Sequence, residues 1–161
     1  MLTRLGAGGM GEVWKARHEL TNREVAIKLI REDKLPDEKH VQRFRREAEM
    51  AAKLRHPHIV GVYEAGQSGR QYYIAMEYVM GGVEGGTLKD ILQKRVVAAT
   101  QAAKYVMAMA EAMDYAHRKN VLHRDLKPSN VIIDDSDEPR ITDFGLAAQV
   151  GGDSEIRNAA D

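Results

Sequence analysis

Four glycines lie close together near the start of the chain. Residues 6–11 read Gly-Ala-Gly-Gly-Met-Gly, a GxGxxG pattern that is weak alone, because a simple glycine-rich turn also satisfies it. The residues that follow, 12–17, are typical of a strand, whereas a dinucleotide-binding fold needs a helix there. A glycine loop between two antiparallel strands can donate backbone N–H groups to phosphate oxygens, since glycine allows the backbone to approach closely. The pattern therefore favours phosphate binding and excludes dinucleotide binding.

A lysine and a glutamate further along the chain are candidates to share one cleft. Lys28 lies in the apolar stretch 25–30, where strand alternation places it on the same face as the small Ala26. Glu47 lies on the apolar face of a predicted helix, three residues after Phe44, and a buried carboxylate needs a partner. Either residue alone has an ordinary interpretation. Together they predict an ion pair in which the remaining donors of the lysine hold phosphate oxygens.

The most specific pattern in the chain is a polar segment, residues 123–130. It reads His-Arg-Asp-Leu-Lys-Pro-Ser-Asn, and an ordinary polar loop after a helix rarely has these residue types at these offsets. Asp143-Phe144-Gly145 begins eighteen residues after Asp125, across a predicted pair of strands. That tripeptide is common alone but becomes specific at this distance. We interpret His123 as a packed core histidine rather than as a base or a metal ligand.

These motifs together resemble the signature set of the eukaryotic-type protein kinase family. Lys127, two residues after Asp125, resembles the serine/threonine branch rather than the tyrosine branch, and the stretches 8–14 and 44–48 look most like bacterial members. The resemblance implies an α+β, two-lobed protein-kinase-like fold. An antiparallel N-lobe sheet with one main helix would occupy residues 1–79. An incomplete, mainly helical C-lobe would occupy residues 80–161, joined through a glycine-rich hinge at 81–86.

The resemblance also implies a role for each residue of the motifs. Asp125 would accept or orient the proton of an attacking hydroxyl, and Lys127 would steady the γ-phosphate of ATP. Lys28, fixed by Glu47, would hold the α- and β-phosphates. Two Mg²⁺ ions would be held by Asn130 and Asp143. Met76 would be the gatekeeper, and the implied ATP site comprises Leu5, Gly6, Ala7, Gly8, Gly9, Gly11, Val13, Ala26, Lys28, Met76, Glu77, Val79, Ile132 and Asp143.

The hydrophobic periodicity predicts the elements that carry these residues. Strands are expected at 12–17, 25–30, 59–65 and 71–78, with a turn at 66–69 between the last two. Helices are expected at 37–54, 87–94 and 99–119, and short strands at 121–122, 131–134 and 140–142. The first helix has an apolar stripe of Phe44, Ala48, Ala51 and Leu54.

The long helix at 99–119 is rich in alanine and methionine. We assign its buried face to Ala102, Val106, Met109 or Ala110, Met113 and Ala116, and we interpret Met107, Met109 and Met113 as core packing. Asn120 is placed to end the helix in a left-handed conformation.

The composition indicates a globular protein that does not bind nucleic acid. Of its 161 residues, 43% are hydrophobic and 30% are charged, and 24 basic residues balance 24 acidic ones. General nucleic-acid binding needs a basic excess. The chain has no cysteine, and no apolar run approaches the ~20 residues that span a bilayer. We therefore expect a cytoplasmic location, either free or as the cytoplasmic part of a larger membrane-anchored protein.

The predicted function is that of a serine/threonine protein kinase that uses ATP and Mg²⁺ on a protein substrate. Only sixteen residues follow Gly145, where the family has its activation loop and further helices, so we expect a partial catalytic domain, inactive or poorly stable alone. The alternative is a truncated, non-catalytic ATP-binding or scaffold module. A small-molecule kinase of related fold is disfavoured by the complete 123–130 motif. The oligomeric state is left open.

Overall fold

The computed structural model describes residues 3–81 and 86–144. Two short 3₁₀ turns lie at Glu32–Lys34 and Pro128–Asn130. The other elements, in chain order, are β1 (Thr3–Gly8), β2 (Gly11–His18), β3 (Arg23–Ile30), α1 (Glu38–Ala52), β4 (Val62–Ser68), β5 (Gln71–Glu77), α2 (Leu88–Lys94), α3 (Ala99–Arg118), β6 (Val131–Ile133) and β7 (Pro139–Ile141). Within these ranges, no helix is both long and apolar enough to cross a membrane.

Five antiparallel strands form one sheet in the order β1-β2-β3-β5-β4, and β6 pairs with β7 in a separate hairpin. β3 is therefore the central strand of the larger sheet. Its side chains alternate as predicted, because Ala26, Lys28 and Ile30 are buried while Ile27 is only partly buried. A lysine is thus fixed on the inward face of the most enclosed strand.

The turn between β4 and β5 lies later in the chain than the sequence predicts. β4 continues through Ser68, which pairs with Gln71, so only Gly69 and Arg70 form the turn. Gly69 has a φ of 58°, a left-handed conformation that glycine adopts without steric cost. Because polar residues in an exposed edge strand resemble a loop, the prediction of a turn at 66–69 was wrong.

Helix α1 agrees closely with its prediction. Asp37 caps its N-terminus, since the carboxylate accepts a hydrogen bond from the His40 backbone N–H at 2.9 Å. The predicted stripe is buried, with Phe44 and Leu54 each about 1% exposed. Phe44 and Ala48 pack beneath the five-stranded sheet. Ala51 and Leu54 belong to a second cluster of the core, which also contains Ile141.

Helix α3 is rotated relative to its predicted orientation. Its buried residues are Tyr105, Ala108, Ala112 and Ala116, whereas Val106 and Met107 are each 61% exposed. The assignments of Val106 to the buried face and of Met107 to the core were therefore wrong. This helix is apolar over more than one face, so two stripes fit the helical period. The small alanines decide between them, because they allow close packing against the cluster around Ile141.

The end of α3 leads directly into the functional loop. Asn120 adopts a φ of 58° as predicted, and the Asn120 and Val121 N–H groups donate to the His117 and Ala116 carbonyls at 2.8 and 3.0 Å. These two bonds define a Schellman cap. The predicted strand at 121–122 is absent, because Val121 instead packs into the core as the apolar residue that follows the cap.

Candidate active site

Three polar residues of the 123–130 segment meet at the Asp125 side chain. The Lys127 ammonium lies 2.7 Å from Asp125 Oδ2. The Asn130 amide nitrogen donates to the Asp125 carbonyl at 2.8 Å and to Asp125 Oδ2 at 3.2 Å. The 3₁₀ turn at Pro128–Asn130 brings Asn130 back toward Asp125. The result is a partly exposed carboxylate whose orientation is fixed by a cation and an amide.

The electrostatics of this group keep the carboxylate ionised. The hydrogen bond from Lys127 is the main cause that lowers the pKa of Asp125, and Asn130 lowers it further. A charged donor stabilises the ionised form of a carboxylate. Asp125 is therefore a negatively charged acceptor at neutral pH.

His123 is about 1% exposed and packs on the buried side of the loop. Its Nδ1 accepts a hydrogen bond from the Asp125 N–H at 3.3 Å, so its Nε2 carries the proton that is donated to the Thr142 carbonyl at 2.8 Å. Burial lowers the pKa of His123, which keeps the ring neutral. The edge of the ring meets Phe144 at 4.7 Å between centroids. The prediction of a packed core histidine is confirmed.

The backbone brings Asp143 close to the same loop. The Thr142 N–H donates to the Asn130 carbonyl at 3.0 Å, so the residue after β7 lies beside the 3₁₀ turn. Arg124 and Asp143 both have a φ of 65°, a conformation that costs a non-glycine residue about 1–2 kcal/mol. Outliers of this kind cluster at functional sites, and here they lie on either side of His123. Gly145 falls outside the described residues.

The predicted ion pair between Lys28 and Glu47 is not formed. Lys28, 5% exposed, instead contacts Asp143 Oδ1 at 2.7 Å, and Glu47 Oε1 accepts a hydrogen bond from Arg124 at 3.1 Å. The other oxygen, Glu47 Oε2, is buried without a hydrogen-bond partner among the described residues. The helical period places Glu47 on the inward face of α1, but it cannot fix the distance between α1 and β3.

The environment of Glu47 disfavours its charge. Burial is the main cause that raises the pKa of Glu47, and it outweighs the opposing effect of the Arg124 guanidinium. A partly buried carboxylate with one oxygen that lacks a hydrogen-bond partner is harder to ionise, so its pKa rises. The exposed Arg124 thus holds Glu47 in a position that stabilises the charge of the carboxylate poorly.

The apolar residues of the implied ATP site gather around one cluster. Ala26 and Met76 are buried in it and face each other across β3 and β5. Val13 on β2, Val79 after β5 and Ile132 on β6 pack against the same cluster. The structure therefore brings together side chains from both sheets at the place where the two sheets meet.

The glycine-rich segment shows two kinds of glycine. An added Cβ at Gly11, whose φ is 154°, would lie 1.8 Å from the Leu29 carbonyl oxygen, so packing against β3 requires glycine there. An added Cβ at Gly6, Gly8 or Gly9 would meet nothing within 4 Å. These three glycines and the neighbouring Leu5 and Ala7 are exposed. No contact among the described residues explains the absence of their side chains.

The predictions missed one charged group close to this site. Arg140 on β7 contacts the Glu77 carboxylate at 2.7 Å and Asp134 at 3.7 Å. An arginine between the buried residues Pro139 and Ile141 was a visible signal, because a charged residue in a short apolar strand needs a partner. Glu77 was expected only as one residue of the implied ATP site, without a partner for its carboxylate.

The chain matches the model of the protein kinase domain over residues 1–160. It is 40% identical over 154 residues to the serine/threonine-protein kinase PknF of Mycobacterium tuberculosis strain H37Rv, covering 93% of the chain and 32% of PknF. It is also 40% identical over 148 residues to the serine/threonine-protein kinase PrkC of Bacillus subtilis strain 168, covering 91% of the chain and 22% of PrkC.

A similar relation holds for solved structures. The crystal structure of the Mycobacterium tuberculosis PknI kinase domain has a TM-score of 0.80 and 35% sequence identity, covering 91% of this chain and 57% of that one. The chain spans a third or less of the length of PknF and PrkC. The match over residues 1–160, the identities and the shared fold lead to one conclusion: the chain belongs to the protein kinase family.

Proposed function

We propose that this chain supplies the ATP-binding and catalytic residues of a serine/threonine protein kinase. The observation that carries the proposal is the Asp125 carboxylate, ionised and oriented by Lys127 and Asn130. A protein hydroxyl at this position can give its proton to Asp125 while its oxygen forms a bond to the γ-phosphorus of ATP. The bond between that phosphorus and the β–γ bridging oxygen breaks, and ADP leaves with the electron pair.

Positioning and charge neutralisation dominate such a transfer, because its transition state is loose. Lys28 is buried and already near Asp143, where its ammonium can contact phosphate oxygens. Lys127 lies at the carboxylate that receives the proton and can neutralise charge on the transferred group. The exposed Gly6, Gly8 and Gly9 leave the backbone open to phosphates. The cluster around Ala26 and Met76 offers an apolar surface to adenine.

The donor set suits Mg²⁺, a hard cation that binds oxygen and retains water. We assign its protein ligands to Asn130 and Asp143, which lie on chain segments joined by the Thr142–Asn130 hydrogen bond. The Asn130 nitrogen is used toward Asp125, so its amide oxygen is directed elsewhere. Among residues 3–81 and 86–144, no three acidic or histidine residues form a metal-binding group, which fits a cation completed by phosphate oxygens. Bound Mg²⁺ would neutralise phosphate charge.

Serine or threonine is the proposed acceptor, because Lys127 follows Asp125 by two residues, as in that branch of the family. We place the reaction in the cytoplasm, since a chain without cysteine fits a reducing compartment. The two proposed lobes, 1–79 and 80–161, would meet at the apolar cluster around Ala26.

The alternative is a module that binds ATP and partners but transfers no phosphate. One observation favours it, namely that Glu47 pairs with Arg124 and Lys28 pairs with Asp143 instead of with each other. Binding of ATP that depends on Mg²⁺, without any γ-phosphate transfer, would support this alternative.

The test is the Asp125→Asn variant of the protein at its natural full length. Transfer of labelled γ-phosphate to a generic protein substrate should fall by ~10²–10⁴, the usual effect of removing a positioned acid–base group. Binding of ATP should be unchanged. Asp114→Asn, an equivalent change on the exposed face of α3, is the matched control. Near-normal turnover of Asp125→Asn would refute the role of Asp125, and label on tyrosine alone would refute the acceptor class.

A further inference from the structure

Arg140 connects the two sheets of the molecule at the segment 77–81. Its guanidinium contacts Glu77 Oε2, at the end of β5, at 2.7 Å and Asp134 Oδ2, after β6, at 3.7 Å. The three side chains are 19%, 31% and 14% exposed. We refer to these three residues as the Glu77–Arg140–Asp134 network.

The network fixes the start of the segment at Glu77. The same Glu77 oxygen that meets Arg140 also accepts a hydrogen bond from the Gly61 N–H at 3.2 Å. The Glu77 N–H in turn donates to the Gly61 carbonyl at 2.8 Å. Side chain and backbone of Glu77 are therefore both held, and little rotation of this residue is allowed.

The other end of the segment is held by the turn that contains Asp134. The Asp135 N–H donates to the Met80 carbonyl at 3.1 Å, and Gly81 forms a bridge with Asp134. Asp134 itself is fixed because one of its oxygens accepts the N–H groups of Ser136 and Glu138. The segment 77–81 is thus attached at both ends to the hairpin that carries Arg140.

The energetics of the network indicate positioning rather than stability. Arg140 Nε is buried and has no hydrogen-bond partner in the described part of the chain, which carries a desolvation cost. Two carboxylates share one guanidinium, so the group keeps a net negative charge. Apolar residues of similar volume often stabilise a fold as well as a buried ion pair does. What apolar residues cannot do is fix the orientation of Glu77, because they lack directional hydrogen bonds.

We propose that Arg140 is a positioning residue for the base of the nucleotide. Through Glu77 and Asp134 it fixes the backbone between Met76, in the apolar cluster, and Val79, which packs against it. The edge of an adenine bound on this cluster would meet that backbone. This inference rests on the proposed function, since it assumes that the cluster receives the base of ATP. Among the described residues, Arg140 forms no ion pair with Asp125 or Asp143.

The experiment compares ligands that have a base with a ligand that has none. Affinities of ATP, GTP and inorganic tripolyphosphate are measured by calorimetry for the protein at its natural full length and for Arg140→Met. We expect ATP affinity to fall about tenfold, within the usual range for coupled groups, and the ratio of ATP to GTP affinity to fall with it. Tripolyphosphate affinity should change by less than about twofold.

Two further variants separate positioning from damage to the fold. Glu77→Gln keeps an acceptor for Gly61 but removes the charge that meets Arg140, so it should reproduce part of the loss. Adding Arg140→Met to Glu77→Gln should then cause little further loss, because contacting residues are not additive. Arg118→Met, which removes an exposed ion pair on α3, is the matched control and should leave every affinity unchanged.

Each outcome supports or overturns the positioning role of Arg140. Equal losses for ATP and tripolyphosphate in a variant that folds would overturn the inference, because the effect would then be general. Unchanged ATP affinity in Arg140→Met would also overturn it while leaving the proposed function intact. If Arg140→Met does not fold, Glu77→Gln alone must lower the ATP to GTP ratio. A wild-type protein that binds tripolyphosphate but not ATP would refute the proposed function and the inference together.

Discussion

The loop at 123–130 and the cleft between β3 and α1 hold charged residues in different ways. In the loop, Asp125 has Lys127 and Asn130 within hydrogen-bonding distance. In the cleft, Lys28 and Glu47 each have a partner other than the one expected. The loop residues lie within eight positions of one another, so local backbone geometry suffices to assemble them. The cleft residues belong to separate elements, and their pairing depends on how those elements lie.

This difference divides the site into a part built from local contacts and a part whose ion pairs join separate elements. Arg124 belongs to both, because its backbone lies in the loop while its side chain reaches Glu47 on α1. A change in the loop can therefore alter the cleft through one residue. Four substitutions test this division, beginning with the one expected to have the largest effect.

Lys127→Met should lower phosphate transfer by ~10²–10³, the usual effect of losing one positioned donor to developing charge. Stability should change by less than about 0.5 kcal/mol, because this lysine is half exposed. The pKa of Asp125 should rise, since Lys127 is the main cause that lowers it. The acid limb of the pH–rate profile should then move to higher pH. Lys104→Met, an exposed change on α3, is the control, and an unmoved acid limb would contradict the assignment.

Lys28→Met should instead lower the free energy of unfolding, by about 1–3 kcal/mol, because it leaves the Asp143 carboxylate without its charged donor. Chemical denaturation measures this change. Lys15→Met, which removes an ion pair with Glu24 on the same sheet, should cost clearly less stability, because solvent screens this pair. If both variants lose the same stability, the cleft is no more sensitive than the surface of the sheet, and the comparison fails.

Arg124→Gln tests whether the two parts are connected. With Arg124 present, a double-mutant cycle between Lys28 and Glu47 should give a coupling free energy near zero, because the two do not pair. In the Arg124→Gln background Glu47 loses its charged donor, and the coupling should rise to about 1 kcal/mol. An unchanged coupling would mean that Arg124 does not hold the two residues apart.

Glu47→Gln should have the smallest effect and a distinctive dependence on pH. The raised pKa of Glu47 means that the folded state binds this proton more tightly than the unfolded chain does. The resulting stability is present below the unfolded pKa and is lost as pH rises through the folded pKa. Glu47→Gln removes that loss, so the variant should be more stable than the wild type at pH 7, by less than about 1 kcal/mol. The difference should shrink as the solution is acidified, and a constant difference would exclude this origin.

The same contrast explains how much the sequence could predict. β3, α1 and the cap at Asn120 were predictable, because period, capping residue and apolar stripe agree there. The loop at 123–130 could be located from its motif, and its contacts are local. The buried face of α3 was not predictable, because an alanine- and methionine-rich helix fits two stripes and only the packing partner chooses between them.

Hydrophobic periodicity could not predict which residues pair in the cleft or in the Glu77–Arg140–Asp134 network. Residues 77 and 140 are 63 positions apart, and no period relates them. An inward-facing charge predicts that a partner exists but does not say which. For Glu47 the predicted partner was Lys28, whereas the partner in the structure is Arg124.

The two kinds of glycine at the start of the chain affect how such motifs serve as evidence. Gly11 is required by the approach of the Leu29 carbonyl, so any protein that pairs these two strands in this way would keep it, whether or not it binds a nucleotide. A search that counts Gly11 toward nucleotide binding therefore counts a constraint of the fold. The diagnostic weight of the motif belongs to Gly6, Gly8 and Gly9, because no neighbouring atom among the described residues requires glycine at these positions. With this weighting, the pattern distinguishes proteins that share only the strand pairing from proteins that also share the phosphate-binding loop.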